Sequence, residues 1–382
     1  MAASEYTLPE LPAVAERDQL IIDRRYRTLV EESLDDLRIQ VVEQDEVPAF
    51  DLGRLTLHYG TGYPNDFAVD IDAVLAELRW RFAARFGGWT PLLGKNRRLV
   101  NQVGAYPQTQ SMATPFDPVP AVEPQPVPEA SGVGLGVRVG VLDTKLYAHE
   151  HLRGRYETPD AGTLLTDKEP QEWENGHCSF VAGLILTHAP GATLVVRDVL
   201  DDSGRASTWD TVVRLARFLE DERRVDVLNL SFGCRTTDGR APAILRRAVE
   251  RLSPHMVVVA AAGNHGEIGG MVNGVTRNSP TWPAALPDVV SVSTVLDDGS
   301  PASYSPVLPW ITRSAKADGV TSTYLDGPVR LAGGLVQEFE GYATWRGSSF
   351  ATAVVSGDIA AAIAPGRVTA RDVVAAGAAR LA

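Results

Sequence analysis

Residues 137–144 read VRVGVLDT. A valine-rich run that ends in an acidic residue reads as a buried strand delivering the Asp143 carboxylate at its C-terminal tip. Similar runs recur on either side of helical patterns: Ala192–Val199 (ATLVVRDV), Val225–Leu230 (VDVLNL), Met256–Ala262 (MVVVAAA) and Val289–Val292 (VVSV). Continuous apolar strands separated by helices predict a parallel sheet covered on both faces. In such sheets functional groups gather beyond the carboxyl ends of the strands.

Four polar residues sit at those ends or at helix starts. Asp143 is one; read alone, it is equally a turn former or helix cap. His177 lies in NGHCSFVAGLI, after a turn-forming Asn-Gly and at the start of a small-residue helix. A histidine placed there can face a cleft instead of the core, though most of the chain's seven histidines should be surface or satisfied interior groups. Ser349 lies in WRGSSFATAVVSG, where Gly347 permits an unusual turn and the serines open a long small-residue helix. A helix N-terminus offers free N–H groups and a favourable dipole to a developing oxyanion. Serine is inert at neutral pH without an adjacent base, which His177 could supply. Capping the helix is the plainer role for Ser348 and Ser349. Asn264 ends the strand in VVVAAAGNHG, where its amide could donate to a tetrahedral oxyanion or simply occupy a left-handed turn.

The order Asp, His, Asn, Ser removes most of that ambiguity, because Asp…His…Ser is the triad order of subtilisin. VGVLDT, NGHCSFVAG, LNLSFG, AAAGNHG and RGSSFATAVVSG resemble, in succession, the signature blocks of the subtilase (peptidase S8) family. TWPAALPDVVSVSTVLDDGSPASYS resembles the stretch between oxyanion asparagine and serine, so the likeness spans about 137–382. The resemblance implies a serine endopeptidase in which Asp143 orients His177, His177 acts as base and then acid, and Ser349 is acylated. It further implies an oxyanion hole from Asn264 and the Ser349 N–H. Ser231, Phe232 and Gly233 would form the edge that pairs with a peptide or protein substrate bound as an extended strand. Cys178 and Ser179 stand where the family has Gly and Thr after the histidine, and Ala353 where it has Pro. Cys178 reads as a small packed thiol. The rival reading is a catalytically silent subtilase-like module that grips peptides without cutting them; it would need a missing triad member.

The expected fold is α/β: a three-layer, parallel-sheet catalytic domain over 132–382, preceded by a smaller α+β domain over 1–113. Residues 114–131, TPFDPVPAVEPQPVPEAS, carry a proline every few positions and read as an extended linker. Within 1–113, a charged helix is expected around 14–35, strands at Leu37–Val42 and Leu55–His58, and a helix between Val69 and Phe86 that Gly87-Gly88 stops. No His, Cys or paired-carboxylate cluster occurs there, so the region reads as a retained accessory domain, with an inhibitory propeptide as the alternative the family suggests.

The chain has 382 residues, 44% hydrophobic and 22% charged, with a net charge of −12. A full-sized core is affordable, and without a Lys/Arg-rich stripe no nucleic-acid partner is expected. No run approaches the ~20 apolar residues of a membrane-spanning helix, so no membrane partner is expected. Residues 1–18 show no basic stretch followed by an apolar one, and the expectation is a cytoplasmic protein. Two cysteines cannot staple a fold of this size. Catalysis of this type needs no cofactor or metal. Calcium is often structural in the family, with Asp201-Asp202 and Asp297-Asp298 as unassigned candidates.

Overall fold

The computed structural model describes residues 15–60, 69–101, 117–166, 170–236, 238–270, 275–332 and 334–378. Most of the N-terminal stretch read as lacking a secretory signal, and the first three residues of the proline-rich segment, lie outside these. Two compact units emerge, residues 1–46 with 53–98 and residues 47–52 with 99–382.

The smaller unit runs β1 (Ala15–Asp23), α1 (Arg27–Asp36), β2 (Ile39–Val47), β3 (Leu52–Tyr59), α2 (Ile71–Arg85) and β4 (Leu93–Asn101). Its sheet order is β4-β1-β3-β2, the βαββαβ arrangement of ferredoxin-like folds. Asp70 caps α2 by accepting from the N–H groups of Asp72 and Ala73. Leu75, Leu78 and Phe82 then face Leu20, Ile22, Leu55 and Leu57 of the sheet. The helix expected around 14–35 is corrected: 15–23 is a strand, and helix begins only at Arg27. Leu20, Ile21 and Ile22 pair antiparallel with Lys95, Gly94 and Leu93. Two β-branched residues in succession and a partner strand far along the chain outweigh the charged, helix-like composition.

In the larger unit the five apolar runs form strands as read, β5 (Arg138–Asp143), β7 (Thr193–Asp198), β8 (Val227–Leu230), β9 (Val257–Ala261) and β10 (Val289–Val295). Two further strands of the same sheet were not read from the sequence, β6 (Tyr156–Glu157) and β11 (Arg313–Lys316). The seven form one parallel sheet in the order β11-β10-β9-β8-β5-β7-β6. Helices α3 (His177–His188), α4 (Thr208–Glu220), α5 (Ala243–Leu252), α6 (Ser348–Ala362) and α7 (Ala370–Ala378) complete the larger unit. Helices α3 and α6 are almost wholly buried; α6 is rich in Ser, Ala and Gly, whereas α3 also buries Phe180, Leu184, Ile185 and Leu186.

A long antiparallel hairpin, β12 (Asp318–Arg330) with β13 (Val336–Arg346), lies along α3. A Cβ on Gly183 would stand 2.4 Å from the hydroxyls of Ser322 and Thr323, so only glycine admits the hairpin at this point. Those hydroxyls donate to the carbonyls of Phe180 and Ser179. The described part of the proline-rich segment is extended: Val119 and Pro120 pair with Thr344 and Ala343 on β13. Arg155 donates to the Pro128 carbonyl at 3.1 Å.

Candidate active site

Asp143 ends β5 with no exposed surface. Its Oδ1 accepts from the Thr144 N–H at 2.7 Å and from His177 Nδ1 at 2.6 Å. A carboxylate can only accept, so Nδ1 carries the ring proton and a neutral ring keeps its lone pair on Nε2. His177 opens α3 after a short 3-10 turn, Trp173–Gly176. The ring is flanked by Trp345 and Phe350, centroids 5.9 and 5.5 Å away. Its Nε2 is buried and has no hydrogen-bond partner among the described residues.

Ser349 lies in the first turn of α6, next to Phe350. Gly347 starts that turn at φ 146°, in the region that favours glycine, and its carbonyl accepts from the N–H groups of Phe350 and Ala351. The Ser349 hydroxyl does not bond His177; it donates to the Ser231 carbonyl at 2.9 Å. Ser231 Oγ donates to the Ser349 carbonyl, also at 2.9 Å. Behind it Asn229 donates to Ser231 Oγ and accepts from Ser356, so a buried polar chain ties β8 to α6.

Asn264 follows β9. Its Oδ1 accepts from the Ser348 N–H at 3.0 Å. Because an N–H can only donate, the end facing α6 is the oxygen, and Nδ2 points the other way. The neighbouring Gly263 N–H donates to Ser348 Oγ at 3.1 Å. Ser348, read only as a small residue or cap, thus locks the Gly263–Asn264 turn onto the head of α6.

Ser231, Phe232 and Gly233 continue β8. Phe232 and Gly233 pair antiparallel with Asn101 and Val100, which belong to the same unit. The edge read as a substrate platform therefore carries an extended strand of this chain. Asp143, His177 and Ser349 are all fully buried.

Around the site, Cys178 is fully buried, and burial first, then the nearby Asp143 charge, raises its thiol well above the ordinary range. Glu174, in the turn before His177, is pushed up to about 8 by burial foremost, with Glu172 and Asp117 adding to the effect. Ser179 holds the loop after Asp143 by accepting from the Tyr147 N–H at 2.9 Å. No group of three or more His, Cys, Asp or Glu among the described residues could hold a metal ion. Asp201 Oδ1 accepts from the N–H groups of Ser203 and Arg205, and Asp298 Oδ1 from the N–H and hydroxyl of Ser300, so both carboxylates shape turns. No helix of the described residues is long and apolar enough to cross a membrane.

Residues 134–373 match the family model of the subtilase family. The chain belongs to that family. This subtilase is similar to a thermostable alkaline protease of Halalkalibacterium halodurans, 32% identical over 202 residues that cover 50% of each chain. It is also similar to Mycosin-4 of Mycobacterium tuberculosis, 31% identical over 264 residues that cover 59% of this chain and 55% of that one. The subtilase thus spans about half the length of these relatives. Its fold is that of a solved cold adapted subtilisin-like serine proteinase, with a TM-score of 0.50 at 23% identity, over 65% of this chain and 82% of that one.

Proposed function

We propose that this subtilase is a serine endopeptidase. The buried 2.6 Å bond between Asp143 and His177 Nδ1 carries the reading, since it presets the tautomer whose Nε2 can take a proton. In the proposed cycle, Ser349 Oγ turns from the Ser231 carbonyl, passes its proton to His177 Nε2 and adds to the carbonyl carbon of a peptide bond. The Asn264 amide and the Ser349 N–H hold the oxyanion. His177 returns the proton to the departing amine as the C–N bond breaks, leaving an acyl ester on Ser349. Water, deprotonated by the same ring, then hydrolyses the ester. Asp143 stabilises the imidazolium throughout. The substrate is a peptide or protein segment bound as a strand along Ser231–Gly233. Asp, His, Asn and Ser all keep their residue types, so no observation favours a silent binding module.

The pairing of Val100 and Asn101 with Gly233 and Phe232 favours a second element of the reading. A fully buried serine cannot meet an external substrate. The strand that ends at Asn101 therefore acts as an internal occupant of the substrate edge, and activity needs its displacement or cleavage. This favours processing next to that strand over its permanent retention on the edge. Labelling by a fluorophosphonate, followed over time beside peptide hydrolysis, tests both elements. Ser349-dependent labelling that grows with activity is the expected result. Hydrolysis that persists in Ser349→Ala would overturn the endopeptidase assignment.

A further inference from the structure

Beyond Leu230 and Ala260 the ladder between β8 and β9 ends. Ala262 only extends the ladder of β9 with β10, its N–H donating to the Val292 carbonyl at 2.8 Å. On the other side Phe232 and Gly233 pair with Asn101 and Val100, and Cys234 exchanges two backbone bonds with Trp282, at 2.9 and 2.8 Å. Past Ala260 no ladder bond joins the two strands, and Gly263 follows there.

What faces Gly263 is polar. A Cβ on this glycine would lie 2.7 Å from Arg235 Nη2, 2.8 Å from His265 Nδ1 and 2.9 Å from Thr281 Oγ1. All three residues are buried, with Arg235 at 9% exposure and Thr281 at 0%. His265 Nε2 donates to the Ser279 carbonyl at 2.9 Å, so Nδ1 is the lone pair that accepts from Arg235 Nη2, also at 2.9 Å. Burial foremost, then the guanidinium itself, lowers His265 to about 3. The histidine is neutral and the charge at this place belongs to the arginine. Thr281 Oγ1 is buried and makes no hydrogen bond among the described residues.

On the peptidase reading, the carbonyl under attack lies beside Asn264. The side chain of the residue that owns this carbonyl then falls next to Gly263, one position earlier on the same turn. A planar guanidinium there suits a carboxylate, which it binds by charge-assisted and often bidentate hydrogen bonds. Apolar side chains would instead be set against a buried cation and an unmatched hydroxyl.

We propose that Arg235, assisted by Thr281, makes this subtilase select an acidic residue, glutamate or aspartate, on the amino side of the bond it cuts. This inference rests on the endopeptidase reading. The test uses the full-length protein, incubated until its activity is constant. Four chromogenic peptides share the chain's own Leu-Val-Asn sequence (residues 99–101) and place Glu, Gln, Phe or Lys before the scissile anilide. A hydrogen bond to a charged group in a buried site predicts kcat/KM about 10–100-fold higher for Glu than for Phe. In Arg235→Met the Glu-to-Phe ratio should fall by about the same factor, and in Arg235→Lys by less. Fluorophosphonate labelling of Ser349 in each variant reports an intact site independently of this pocket. A wild type that prefers Phe or Lys would overturn the assignment, as would a labelled Arg235→Met with an unchanged ratio. Absence of both labelling and hydrolysis in the wild type would overturn the endopeptidase reading, and this inference with it.

Discussion

Ser349 and Ser231 hold one another by two hydrogen bonds, the hydroxyl of each donating to the carbonyl of the other at 2.9 Å. The pair of bonds that fixes the start of α6 against β8 thus also holds the Ser349 hydroxyl away from His177. In the proposed cycle that hydroxyl rotates toward His177 before it is deprotonated. Ser349→Ala should keep the fold, because Ser231 Oγ still reaches the backbone carbonyl of residue 349. Turnover should fall on the order of 10⁶-fold, the size of loss known for a subtilisin, the family this chain belongs to. Circular dichroism beside peptide hydrolysis checks both halves; a folded variant with residual turnover above one part in about 10⁴ contradicts the assignment.

Asn264→Ala should lower kcat by roughly 10²–10³-fold, a figure that again comes from subtilisin, and leave KM within a few-fold. The proposed amide bond exists only once the oxyanion forms, so ground-state binding does not use it. The Ser348 N–H also loses its acceptor, so a melting curve should accompany the kinetics. A defect confined to KM would place the asparagine outside the oxyanion hole.

The strand ending at Asn101 gives a prediction about processing. Incubation of the full chain, 41.1 kDa, should yield a cut between Asn101 and Arg138, after one of the acidic residues Asp117, Glu123 or Glu129. The cut should be absent in Ser349→Ala. Val100→Pro, which cannot complete the strand pairing, should raise activity at time zero. Intact mass spectrometry over an activity time course decides the matter. Full activity from an uncut chain, unchanged by Val100→Pro, would restore the accessory-domain reading.

Glu174 gives a pH dependence of stability. Its folded-state value, about 8, lies above the ordinary 4.5, so the folded chain holds a proton that the unfolded chain releases between these values. Stability from this group is therefore intact below about pH 4.5 and declines as pH rises toward 8. Glu174→Gln, made in a Ser349→Ala background to prevent self-digestion, should raise the melting temperature more at pH 9 than at pH 5. Equal shifts at the two pH values would show that the carboxyl is not held protonated.

Residue type and local period determined much of this molecule. Valine-rich runs such as VRVGVL and MVVVAAA can satisfy both faces only inside a covered parallel sheet, and strand tips are where Asp143 and Asn264 fall. The small residues Ala182 and Gly183 after His177, and the run after Ser349, read as helices, which form as α3 and α6. What the sequence left open depends on partners far along the chain. In Glu16–Ile22 the local signal of Ile21-Ile22 is too weak against a charged, helix-like composition until Leu93–Lys95 arrive to pair with it. LVN at 99–101 carries no sign that it completes the edge made by Phe232 and Gly233, because backbone pairing is blind to side-chain type. The serine's rotamer was equally out of reach, since hydroxyl rotation follows whichever acceptor the fold brings near, here the Ser231 carbonyl. Arg235 reads as one more charge after an apolar strand. Only tertiary folding brings it against Gly263, His265 and Thr281, where the missing Cβ of one glycine leaves the space that its guanidinium enters.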